Sequence, residues 1–212
     1  MTITKKQIVL LSPFLIIAVN FGVAFAFGET LGKWIFIPII LTYWILWSFF
    51  ILRFGGIKSV KKWLGKPVRN YIWVIMSILV GLIPLPLFIF HYGTLSHWTI
   101  WLPWITLALI NPWIEEFYWR GLLLDYSKNW QTWISVLYAG LLFSMSHSIY
   151  GLNSELNSGA EILVSTLILG IVWGFAYKKT KSLRWTIFAH FLVDFFGLSA
   201  PAFLDLWEKG AW

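Results

Sequence analysis

Glu115-Glu116-Phe117-Tyr118-Trp119-Arg120 sets three ionisable side chains inside a run that otherwise reads as a membrane helix, with Ile105 to Ile110 before it and Gly121 to Leu124 after it. A charged side chain at the centre of a bilayer costs about 2.5–3.5 kcal/mol on insertion scales. Three in six residues demand partners. Two histidines stand in later apolar runs, His147 and His190, and Asp194 follows the second at i+4. Carboxylates and imidazoles at membrane depth are the materials of a buried hydrolytic site or a proton path.

The rest of the 212 residues supports a membrane reading. The chain is 59% hydrophobic, 20% aromatic and 12% charged, with a mean hydropathy of +0.75. A soluble domain carries about 25% charged residues. Trp34, Trp98, Trp101, Trp130, Trp133 and Trp185 lie near the ends of apolar runs, where the membrane–water interface favours tryptophan. The formal net charge is +7. The basic residues cluster in short loops between apolar runs, which points to lipid and not to nucleic acid as the partner. Cysteine is absent, which excludes disulfides, a thiolate nucleophile and cysteine metal sites. Lys5 and Lys6 ahead of an apolar stretch ending in Ala24-Phe25-Ala26 faintly resemble a secretory signal. The stretch Ile8–Phe27 is long enough to span, and the uncleaved reading is preferred.

Seven apolar segments approach the roughly 20 residues a span requires: Ile8–Phe27, Trp34–Leu52, Tyr71–Phe90, Ile100–Leu124, Trp133–His147, Ile162–Tyr177 and Trp185–Phe203. The expected fold is all-α, a polytopic bundle of about seven transmembrane helices forming a single domain over 1–212, with a motif-bearing core at 111–200. Lys and Arg concentrate before the first segment, at Arg53–Arg69 and at Lys178–Arg184. The N-terminus is therefore expected in the cytoplasm and the C-terminus outside. The Arg53–Asn70 loop suits either a short amphipathic helix on anionic lipid or a plain solvated loop. Ser148–Glu161 is expected to be external and mobile. Pro84, Pro86, Pro103 and Pro112 are expected to kink the third and fourth segments.

On a helix Glu116 and Arg120 are i,i+4 and share a face. Glu115 points about 100° away. The expected division is a structural Glu116–Arg120 ion pair, with Glu115 left as the working group for general-base chemistry. Phe143 lies one turn before His147, and Asp194 one turn after His190, where a carboxylate can fix an imidazole. Glu115, His147 and His190 could together hold a water, with or without a metal such as zinc. Taken alone, each motif has a bland reading as a structural pair or a satisfied interhelical donor. Their conjunction in three segments exceeds what packing needs. Counted from the inner segment ends, Glu115, His147 and His190 lie about 14, 22 and 8 Å deep. For the three to meet, helices must tilt, or Lys178–Arg184 must continue helically into the seventh segment.

Glu115-Glu116-xxx-Arg120, Phe143-xxx-His147 and His190-xxx-Asp194 resemble, in order, the EExxxR, FxxxH and HxxxN/D motifs of the CAAX-protease and bacteriocin-processing family, also called Abi. The resemblance implies an intramembrane endopeptidase of glutamate or metal type, in a bacterial cell membrane, acting on a lipidated, prenylated or bacteriocin-type peptide. By carry-over Glu115 activates water, His147 holds it, and His190 with Asp194 forms the oxyanion site. Glu116, Arg120 and Phe143 support them. An ionised Asp194 would oppose an oxyanion, so it must be protonated or must orient His190 instead. A non-proteolytic bacteriocin-immunity or scaffold protein on the same fold is the alternative. A proton-coupled transporter is disfavoured by the lack of an inverted repeat.

Overall fold

The computed structural model describes residues 3–210, and all regular structure among them is helical. In chain order the helices are α1 (Lys5–Leu31), α2 (Phe36–Phe50), α3 (Gly56–Trp63), α4 (Tyr71–Gly81), α5 (Leu85–His91), α6 (Trp98–Glu116), α7 (Leu124–Tyr126), α8 (Thr132–His147), α9 (Ala160–Thr180), α10 (Arg184–Phe196) and α11 (Ser199–Phe203). Two widened π turns, Ile51–Gly55 and Phe117–Leu123, join α2 to α3 and α6 to α7.

Every apolar segment named above falls on helix. The third is broken before Pro84, which starts α5. The seventh is broken at Leu198, whose φ is +50°. Three stretches are long and apolar enough to cross a membrane by length and composition: Lys5–Trp63, Tyr71–Ser96 and Ala160–Thr180. The first spans two of the apolar segments.

Local chemistry explains how the elements tolerate their interruptions. Pro13 lies inside α1 and has no N–H to offer the carbonyl of Val9. Ser12 Oγ donates to that carbonyl instead, at 2.7 Å. With its only proton spent, Ser12 accepts from the Tyr118 hydroxyl at 2.7 Å. The proline defect thus becomes a tether to the segment that carries Arg120. Helices α8 and α9 meet at glycines. A Cβ on Gly170 would stand 2.9 Å from Gly140 Cα, and one on Gly174 2.8 Å from Val136. This is the small-xxx-small contact that membrane helices use for close approach.

The basic loop between α2 and α4 holds a true helix, α3, fixed to the bundle by Trp63. This side chain is 1% exposed. Its ring fills the space where a Cβ on Gly121 would stand, 2.8–3.0 Å away. Its Nε1 donates to Asp125 at 3.0 Å, which also accepts from Lys62 at 3.0 Å and from the Tyr177 hydroxyl at 2.9 Å. Trp63 is therefore an anchor into protein and not a lipid-facing residue.

A continuous helix through Lys178–Arg184, one way for the three residues to meet, is absent: α9 ends at Thr180 with Lys181 in the left-handed conformation (φ 59°). The Leu183 N–H instead bonds the Trp63 carbonyl at 2.8 Å. This starts α10 close to Trp63, which itself lies against Gly121. At the opposite end of α9 the loop 148–159 is fastened by Asp205. It accepts from the Glu155 and Leu156 N–H groups at 3.0 and 2.9 Å and from Ser154 Oγ at 2.7 Å.

Candidate active site

Helices α6, α8 and α10 and the π turn after α6 supply the polar residues. Glu115 is 3% exposed, Glu116 0%, Arg120 1% and His190 3%, while His147 and Asp194 are half-buried. The Glu116–Arg120 pair is present, with Arg120 Nη1 donating to Glu116 Oε1 at 2.8 Å. Arg120 is also sandwiched, its guanidinium 4.2 Å from the ring centre of Phe143 and 5.2 Å from that of Trp173. Such contacts strengthen where water is excluded.

Glu116 has a second partner that the sequence did not suggest. His190 Nδ1 donates to the same Oε1 at 3.1 Å. On the other side of the ring, Nε2 lies 3.7 Å from Asp194 Oδ1. His190 thus stands between two carboxylates, stacked on Trp173 at 4.8 Å. Asp194 in turn accepts from Asn111 Nδ2 at 3.2 Å.

His147 is oriented by its own helix. Its Nδ1 lies 2.8 Å from the Phe143 carbonyl. A carbonyl only accepts, so Nδ1 carries the proton and Nε2 of the neutral ring keeps its lone pair. The Phe143 ring, 4.6 Å from the imidazole, also lies under Arg120, which fixes both ends of this motif. Tyr43 on α2 backs the same turn, its hydroxyl donating to the Ser146 carbonyl at 3.1 Å.

Glu115 lies one turn after Asn111 on α6. Its Oε2 is buried with no hydrogen-bond partner among the described residues, as is Glu116 Oε2. His147 is linked to the cluster through Phe143, whose ring also meets His190 at 6.3 Å and Arg120 at 4.2 Å.

Among the described residues no three His, Asp or Glu side chains are grouped as a metal ion needs. His190 faces carboxylates with both ring nitrogens.

Sequence reasoning missed Asn111, Trp44 and Trp173. Only Asn111 left a signal: it is a polar residue one turn before Glu115 in an apolar run.

Glu116, His190 and Asp194 thus form one polar cluster inside a helical bundle. Residues 96–196 match the family model described as type II CAAX prenyl endopeptidase Rce1-like. That segment, just under half of the chain, contains all three motifs, and the match supports the resemblance to the CAAX-protease family. Comparisons with curated proteins and with solved structures returned no match.

Proposed function

We propose that this protein is an intramembrane endopeptidase that cleaves a membrane-associated or lipidated peptide using water activated by Glu115 and His147. The observation that carries this reading is the contrast between adjacent glutamates. Both keep a bare Oε2, but Glu116 is held through Oε1 in ion pairs with Arg120 and His190, whereas Glu115 makes no ion pair among the described residues and is left for chemistry beside the same cluster.

The chemistry follows from the donors and acceptors. Water approaches between Glu115 and His147, with His147 Nε2 accepting one of its hydrogen bonds. Glu115 takes a proton as the water oxygen bonds to the scissile carbonyl carbon. The carbonyl oxygen gains negative charge and is met by His190, whose ring is braced by Glu116, Trp173 and Asp194. Collapse breaks the C–N bond, and Glu115 returns its proton to the leaving amine. Arg120 and Phe143 hold the frame.

We take the chain as one transmembrane domain of seven crossings with its motif-bearing core at 111–200. The N-terminus is cytoplasmic, and substrate enters from the face carrying α3 and Lys178–Arg184. In support, the basic side chains Lys58, Lys61 and Lys62 lie on the helix that Trp63 docks beside Gly121.

Cleavage of an internally quenched farnesylated CaaX-terminated peptide by wild type and not by Glu115→Gln would bear out the enzyme reading. Equal cleavage by both would overturn it. The chain has no cysteine, so single labels need no background removal. An impermeant reagent added to intact cells should modify Ser158→Cys and spare Lys62→Cys. The opposite pattern would reverse the orientation.

A further inference from the structure

We propose that Asn111 supplies the amide donor of the oxyanion site, the role that an aspartate at position 194 cannot fill while ionised. The inference rests on the peptidase reading above.

The starting point is the chemistry at the end of the third motif. Asp194 lies 3.7 Å from His190 Nε2, where a carboxylate serves the ring but offers no hydrogen to a developing anion. Stabilising that anion needs donors held in place beforehand. An amide is present one turn before Glu115, on α6. Its orientation is set by chemistry and not by choice. Trp44 Nε1, which can only donate, lies 2.9 Å from Asn111 Oδ1. That contact forces the oxygen toward α2 and the NH2 group toward the site.

The NH2 group carries two hydrogens. One bonds Asp194 Oδ2 at 3.2 Å. The other is left over, on a side chain that stands one turn before Glu115 on the same helix. Glu115 is the residue beside which water is activated and the scissile carbonyl must sit. Trp44 and Asp194 therefore hold Asn111 from two directions and leave one N–H for the reacting centre. The amide has been supplied from α6, while the carboxylate at 194 has become its brace.

The test uses purified full-length protein in detergent and the farnesylated CaaX peptide. Asn111→Ala should lower kcat by about 10²–10³-fold, the cost of one oxyanion donor, with KM little changed. Asp194→Asn, which restores an amide on α10, supplies the reference rate for the double variant. The double variant Asn111→Ala/Asp194→Asn should recover most of the rate lost by Asn111→Ala, which a purely structural role for Asn111 would not allow. Trp44→Phe, which frees the amide to rotate, should lower kcat in the wild-type background and have no effect in the Asp194→Asn background. That pair decides the matter if Asn111→Ala does not fold. Asn111→Ala with wild-type kcat, a double variant no better than Asn111→Ala, or a Trp44→Phe effect undiminished by Asp194→Asn would each overturn the assignment to Asn111 alone. A wild-type protein that leaves the peptide intact would overturn the peptidase reading and this inference with it.

Discussion

Asp205 and Glu115 are both carboxylates folded against the bundle, and they are treated in opposite ways. Asp205 accepts from Ser154 Oγ, from the N–H groups of Glu155 and Leu156, and from Lys33 Nζ at 3.1 Å, so both of its oxygens are used. Burial alone would raise its carboxyl, but the bonds from Ser154 and the two amides, with Lys33, hold it below the ordinary aspartate value. Glu115, like Glu116 beside it, keeps one oxygen bare among the described residues, and unlike Glu116 it has no ion pair there to hold the other. A carboxylate whose every lone pair is taken is a fastener. One left incomplete in a polar cluster costs stability, and that cost is expected where chemistry is done.

The sharpest way to break this contrast is Glu115→Gln. Loss of a general base should reduce cleavage by about 10²–10⁴-fold, while the thermal midpoint in detergent stays level or rises. A large fall in that midpoint would make Glu115 a fastener too. Arg120→Ala comes next. It strands Glu116 and removes the stacks on Phe143 and Trp173, so unfolding should become easier by about 3–5 kcal/mol, measured by denaturant titration in micelles. Asp205→Asn should cost about 1–3 kcal/mol and leave kcat near that of wild type.

The pH dependence of Asp205 sharpens the same comparison. Its folded-state value is depressed, so its contribution is present above the unfolded value of about 3.9 and is lost as pH falls from there through the folded one. The stability gap between wild type and Asp205→Asn should be full at neutral pH and should close in acid. The smallest expected effect is that of a chelator. 1,10-Phenanthroline should change the wild-type rate by less than about twofold, since a metal-dependent site would lose its ligated ion.

How much of this was legible in the chain depends on range. Hydropathy marks helical segments because burial in lipid selects composition along the sequence, and each marked segment is helical. The pairing of Glu116 with Arg120 is local and survives the π turn that the spacing did not announce. What stayed hidden was long-range. His190 reaches Glu116 across 74 positions and Asn111 reaches Asp194 across 83. An asparagine in an apolar run carries no sign of which helix will face it. Trp173 reads as one more interfacial tryptophan until α9 sets it against His190 and Arg120.

The proline-and-serine joint in α1 has a wider meaning. Ser12 holds Tyr118, the Leu10 carbonyl takes the Tyr138 hydroxyl, the Phe54 carbonyl takes that of Tyr126, Trp44 grips Asn111 and Trp63 grips Asp125. Each of these bonds leaves the segment that carries the family motifs and ends in the first 63 residues. The catalytic stretch is thus not a cassette. Grafted onto a foreign N-terminal half it would arrive with at least these moorings severed, so the two halves of this chain are expected to tolerate exchange between relatives only as a matched pair.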